Sequence, residues 1–161
     1  MKALIITNVQ DEFFENESLN LKSNKVISII NEILPIFDLV IFTLNNKENI
    51  FDINLHKNLI LKNCKKDFYI FKKENEINLF FNDEFKKLLK EKNVKEIFVS
   101  GFVLDEDVQN TAVASSISNY KTTVIEDATL SLHEDINKTL KTFKESNINL
   151  IESWELDNFL F

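Results

Sequence analysis

The sequence predicts one α/β domain over residues 1–161, three layers deep (α/β/α), with a mostly parallel sheet of about six strands. Three observations carry this prediction. Short apolar runs alternate along the chain with stretches of helical periodicity, which places a parallel sheet between helices. The runs at 3–7 (ALIIT) and 38–44 (DLVIFTL) are apolar on consecutive residues, as strands buried on both faces are. A length of 161 residues with 44% hydrophobic content suits a single core, and neither an internal repeat nor a Pro/Ser-rich linker divides it.

Residues 3–7 form the first strand, and a polar loop over 8–22 follows. Val26, Ile29, Ile30, Ile33, Leu34 and Phe37 then fall at i, i+3, i+4, i+7, i+8 and i+11, one face of a helix, with Pro35 near its end. The second strand is 38–44, an irregular stretch covers 45–64, and 68–71 (FYIF) is a short third strand. Asn82 or Asp83 caps a helix whose apolar face is Phe85, Leu88 and Leu89. The fourth strand is 96–100. A helix over 105–119 presents a small-residue face, including Ala112 and Ser115, suited to close packing on the sheet. The fifth strand is 122–125. Ser131-Leu132-His133-Glu134 reads as a capping box for the next helix. The sixth strand is 148–151, and 154–161 is a short helical tail.

Charge and composition exclude several classes. The formal net charge of −7 disfavours a nucleic-acid partner, which needs a basic face. The run Lys86, Lys87, Lys90 and Lys92 is read as the solvated side of an amphipathic helix. The single cysteine, Cys64, forms no internal disulfide, which fits a reducing, cytoplasmic setting. No apolar run approaches the roughly 18 residues of a membrane span. The N-terminus reads as a strand and not as a signal peptide.

The one glycine, Gly101, marks the first place to look for a site. Glycine permits φ > 0 and close backbone approach, so a chain that uses it once is expected to need such geometry in few places. It stands where the fourth strand gives way to a loop carrying Asp105 and Asp107. In parallel sheets, sites lie beyond the carboxyl ends of the strands. Here those ends supply Asn8 and Asp11, Asn45 and Lys47, Lys72 and Lys73, Asp105 and Asp107, and Asp127.

These strand ends resemble the isochorismatase-like hydrolase superfamily, which includes nicotinamidases and has a Rossmann-like fold. The family's opening D-x-Q-N-D-F motif is matched by Asn8-Val9-Gln10-Asp11-Glu12-Phe13. Its central G-x-x-x-D-x-C-V-x-x-T-A motif is matched in register by Gly101, Asp105, Val108, Thr111 and Ala112, with Asp107 at the cysteine position. Its later D-A pair is Asp127-Ala128, and Lys72 or Lys73 fits the lysine that ends its third strand. The resemblance covers nearly the whole chain. It implies a triad of Asp, Lys and Cys, here Asn8, Lys72 (or Lys73) and Asp107, in which a thiolate attacks an amide carbonyl and the Asp shuttles the proton. It also implies a cis peptide near Val103-Leu104 and a pocket lined by Asp11, Lys73, Phe13, Gly101, Phe102, Val103 and Leu104.

The departures shape the functional expectation. An asparagine at position 8 exchanges no proton near neutral pH, and a carboxylate at a helix N-terminus is a weak attacker of amides. Asp107 therefore has three readings: a catalytic group, a partner of Lys72 or Lys73, or a helix-start residue. The metal motif of the nicotinamidase branch, D-x-H, reads Asn45-Asn46-Lys47, so neither metal nor cofactor is expected. His56 with Asp52 is at most a remnant pair, and His133 a helix-start residue. The first expectation is a catalytically degenerate family member with a binding, scaffold or regulatory role, a homo-oligomer able to take a small-molecule ligand. The second is an active amide or ester hydrolase using Asp107 or Asp11 with Lys72 or Lys73. The third is a Mg²⁺-dependent nuclease of the PIN-like kind, with Asp11, Asp105, Asp107 and Asp127 gathered at the strand ends. Trp154 and the Phe159-Leu160-Phe161 end either anchor a subunit contact or dock on their own domain.

Overall fold

The strands of the computed structural model, which describes residues 1–45, 54–73 and 78–160, are β1 (Lys2–Thr7), β2 (Leu39–Asn45), β3 (Phe68–Lys73), β4 (Glu96–Phe102), β5 (Lys121–Leu130) and β6 (Asn149–Ile151). The helices are α1 (Glu17–Ile33), α2 (Asp83–Glu91), α3 (Gln109–Ile117), α4 (Asn137–Glu145) and the short α5 (Leu156–Leu160). The sheet order is β3-β2-β1-β4-β5-β6, and every neighbouring pair is parallel. The chain winds outward from β1 to β3, then returns to place β4 beside β1 and winds the other way. That reversal opens a crevice at the carboxyl ends of β1 and β4, where ligands bind in such sheets.

Period-two alternation sends side chains to two cores. Leu4, Ile6, Val40, Phe42 and Phe98 pack under α1 and Leu156 of α5. Ala3, Ile5, Ile41, Val99 and Val124 pack under α2, α3 and α4 through Phe85, Leu89, Ala112 and Phe143. The lysines of α2 are solvated, as expected: Lys86 pairs with Asp83 at 2.8 Å and Lys87 with Glu91 at 3.8 Å, all on its exposed side.

Several boundaries differ from the sequence reading. Helix α1 begins inside the expected polar loop, because the Asn16 side chain caps it by accepting from Leu19 N at 2.8 Å. Strand β4 continues through Gly101 to Phe102, so the glycine lies within the strand. Strand β5 runs to Leu130, and its pairing with β4 jumps from Val99↔Val124 to Gly101↔Thr129, a bulge that lengthens it. The capping box at 131–134 does not form: α4 starts only at Asn137, whose N–H donates to Asp135 Oδ1 at 3.0 Å. The expected 105–119 helix splits into a wide π turn, Leu104–Val108, and α3, with Glu106 non-helical within the turn.

Gly101 is required by a close approach. Its φ is +106°, and a Cβ there would lie 2.3 Å from Thr7 O and 2.5 Å from Thr7 N on β1. Left-handed backbone is nevertheless not confined to it. Asn8, Asn93, Asn119 and Asn147 take φ of 49°, 50°, 66° and 54°. The last three directly follow the C-caps of α2, α3 and α4, the position where glycine usually ends a helix. The chain needs this geometry more often than its glycine content indicates.

The tail docks on its own domain. Leu156 is buried, Phe159 packs against the α1-side core, and Lys2 Nζ donates to Phe159 O at 2.6 Å. Trp154 is 75% exposed. Phe161 lies outside the described residues, as do Asn46, Lys47 and Asp52. Among the described residues no helix is long and apolar enough to cross a membrane.

Candidate functional site

Four strand ends meet at the crevice between β1 and β4. Asn8 follows β1 in the left-handed region, with its N–H on Thr43 O of β2 at 2.9 Å. Asn45 ends β2 and Lys73 ends β3. Asp107 stands in the π turn after β4, reached through a cis peptide at Phe102–Val103, one bond earlier than expected.

All three side chains converge on the Asp107 carboxylate. Lys73 Nζ donates to Oδ1 at 2.8 Å. Asn45 Nδ2 donates to Oδ2 at 3.0 Å, and Asn8 Nδ2 donates to the same oxygen. Lys73 is 7% exposed and Asp107 19%, so the ion pair is largely desolvated and each charge depends on the other. The choice between Lys72 and Lys73 is settled by strand parity. Lys73 shares a face with Asn45, its register partner, while Lys72 points to the opposite side and is exposed. The sequence offers Lys72 or Lys73 as the partner of Asp107, with Lys72 named first, and it is Lys73 that makes the contact.

Asn45 is the residue whose part was missed. It is held by a two-way exchange with Gln10, whose Oε1 accepts from Asn45 N at 3.0 Å and whose Nε2 donates to Asn45 O at 3.3 Å. Its parity with Thr43 and Ile41 was the available signal.

The remaining acids do not join Asp107. Asp11 is 91% exposed and faces His56 Nε2 at 3.6 Å. Asp105 Oδ2 meets His133 Nδ1 at 2.8 Å. Asp127 turns away to Ser153, accepting from its N–H at 2.8 Å and its hydroxyl at 2.5 Å. The four-acid cluster expected for a nuclease is therefore not assembled, and among the described residues no group of three His, Cys, Asp or Glu could hold a metal.

His56 is 7% exposed, stacks on Phe14 at 3.7 Å, and accepts from Asn58 N through Nδ1 at 3.2 Å. Burial pulls its pKa below the ordinary value, and the Asp11 carboxylate opposes this. Burial pushes the Cys64 thiol pKa up, away from the thiolate form.

The expected pocket wall is packed. Phe102, Val103 and Leu104 are buried in the two cores, and Phe13 meets Phe102 edge-on at 5.2 Å. Three surface clefts, of about 470, 410 and 210 Å³, lie elsewhere, and none is lined by Asn8, Lys73 or Asp107.

The structure is thus a doubly wound parallel sheet with a lysine, an aspartate and two asparagine amides joined at its switch point. The Isochorismatase domain family matches residues 2–153, and the chain belongs to that family. Among curated proteins it is 27% identical over 103 residues to a nicotinamidase of Saccharomyces cerevisiae, covering 62% of this chain and 48% of that protein. The matched region thus spans about half the length of that relative. Among solved structures it is similar to an Acinetobacter baumanii nicotinamidase pyrazinamidase (19% identity, TM-score 0.79, 96% of this chain and 97% of that one). It is also similar to an N-carbamoylsarcosine amidase of Thermoplasma acidophilum (14%, TM-score 0.76, 94% and 96%). These likenesses confirm the expected fold.

Proposed function

We propose that this chain is a catalytically degenerate member of the isochorismatase family, with a binding, scaffold or regulatory role in place of hydrolysis. One observation carries the reading: the group at the nucleophile position, Asp107, is a carboxylate whose oxygens are taken up by Lys73, Asn8 and Asn45. A carboxylate so engaged is a poor attacker of an amide, and the Asn8 amide is too weakly basic to take a proton where the family's general base stands. The packing of Phe102 against Phe13 supports the same reading.

The full chain incubated with nicotinamide, pyrazinamide and N-carbamoylsarcosine is expected to release no ammonia above the uncatalysed rate. Hydrolysis that disappears in Asp107→Ala would overturn the proposal. The paired substitution Asn8→Asp with Asp107→Cys offers a positive arm. It places a thiol beside Lys73, which favours the thiolate, and returns an acid to position 8. Ammonia release is expected to appear in that variant.

A second reading, an active hydrolase using Asp107 with Lys73, draws on their 2.8 Å contact. The version using Asp11 lacks geometric support, since that carboxylate faces solvent and His56.

A further inference from the structure

We infer that the cleft between the end of α2 and the end of α3 is a binding site for a small organic phosphate that carries a flat ring, such as a nucleoside monophosphate. The cleft, about 470 Å³, is the largest of the three described above and falls in the size range of small-molecule sites. Lys95 and Tyr120, which line it, immediately precede β4 and β5, so it lies at the amino ends of the strands, the opposite edge of the sheet from Asp107. Its floor is apolar and aromatic. Phe80, Leu89 and Val94 are buried there, and the Phe80 and Tyr120 rings lie 6.1 Å apart at 55°. Its rim is cationic. Lys86 and Lys90, one turn apart on α2, line it together with Lys95, and no acidic residue does.

Charge selects the occupant. The chain carries −7 overall, yet the wall of this cleft has three ammonium groups and no carboxylate. The neighbouring acids are engaged elsewhere: Glu91 pairs with Lys87 and Glu96 with Lys121. Lys90 and Lys95 form no salt bridge among the described residues, and Lys86 has only a surface pair with Asp83. The helix ends do not account for this excess. The C-termini of α2 and α3 bring about half a negative charge each, less than the lysines supply, and Lys95 belongs to neither helix. Their last carbonyls are also taken up by the chain: Leu89 O accepts from Val94 N at 2.9 Å and Ser115 O from Tyr120 N at 3.1 Å. A small anion within a Debye length, about 10 Å at 0.1 M salt, senses the local positive charge, whereas a long polyanion also meets the acidic remainder of the surface. A phosphate dianion answers several ammonium groups better than the single charge of a carboxylate does, and lysine binds phosphate as a point charge. The aromatic floor takes the ring, and Asn93, Ser118 and Asn119 offer hydrogen bonds to its polar edge. The site shares no residue with the Asp107 cluster, so the inference stands whether or not that cluster turns over a substrate.

Isothermal titration calorimetry of the full chain with adenosine monophosphate and with phenyl phosphate tests this. At least one is expected to bind with a Kd on the order of 0.1 mM in low salt, and affinity should fall as salt rises. Adenosine and inorganic phosphate should each bind about tenfold more weakly or worse. Lys90→Gln and Lys95→Gln should each weaken binding by about fivefold or more. Their melting temperatures should match the wild type, since both side chains are exposed. Lys138→Gln, an exposed lysine of α4 outside the cleft, should leave binding unchanged. Failure of both ring phosphates to bind at about 1 mM overturns the inference, including the case where a short oligonucleotide binds instead. Adenosine or inorganic phosphate binding as tightly as the ring phosphates overturns it too. So does binding that survives both cleft substitutions, or that Lys138→Gln weakens equally.

Discussion

The amine of Lys73 at the end of β3 and the carboxylate of Asp107 in the turn after β4 close a 2.8 Å ion pair, although β2 and β1 lie between those two strands in the sheet. Asp107 accepts from three donors with two oxygens, and both members are largely buried. Lys73→Met should therefore cost about 3 kcal/mol, because it strands a desolvated carboxylate. Asp107→Asn should also destabilise, since its new amide hydrogens must face one of three donors. Urea unfolding of both single variants and the double variant should give a coupling energy of about 1–3 kcal/mol.

Gly101→Ala is expected to be more damaging than its size suggests. The added methyl would sit 2.3 Å from the Thr7 carbonyl oxygen, and φ of +106° strains any L side chain. β1 and β4 are central strands and cannot part without breaking both cores. A loss of about 3 kcal/mol or more is expected, read as a large fall in melting temperature or insoluble expression.

Acid should weaken the contact between the 54–60 segment and the turn after β1. The His56 pKa is lowered in the fold, chiefly by burial, from an ordinary 6.5. The unfolded chain therefore binds the proton first as pH falls. The stabilising contribution is full above pH 6.5, shrinks as pH drops through the folded value, and levels off below it. His56→Gln should flatten this part of the stability–pH curve. Asp11→Asn removes the opposing attraction and should steepen it slightly, the effect being small because Asp11 is exposed.

Asp127 is expected to act on the C-terminal end of the fold and not on chemistry. Its carboxylate holds Ser153 by two hydrogen bonds at the start of the turn preceding α5. Asp127→Ala should cost about 1–2 kcal/mol. Hydrogen exchange should show lost protection over 153–160, with ligand and metal responses unchanged.

The alternation of buried runs and helical periods was enough to foresee six parallel strands, and the Gly101–Ala112 register was enough to find the turn carrying Asp107. What sequence reading lost was context across the sheet. Lys72 and Lys73 are adjacent, and only their register with Asn45 separates exposed from buried. Asn45 was read as the remains of a metal motif, because its hydrogen bond to a carboxylate 62 residues away leaves no local mark. The false capping box at 131–134 had the right residues, but β5 overran its expected end through a bulge that only pairing with β4 creates. His56 was matched to Asp52 by local spacing, whereas its described neighbours are Phe14 and Asp11 from the turn after β1.

The asparagines at φ > 0 bear on how this chain is aligned with others. Of the five left-handed positions among the described residues, one is spelled with glycine and four with asparagine. The two residues are near-synonyms at a helix end, because asparagine tolerates this backbone better than other side chains do. A relative written in a glycine-rich vocabulary can carry Gly opposite Asn93, Asn119 and Asn147 with the same chain path. Mismatch at those columns signals a dialect of composition, whereas a change opposite Gly101, where no Cβ fits, signals a different junction between the two central strands.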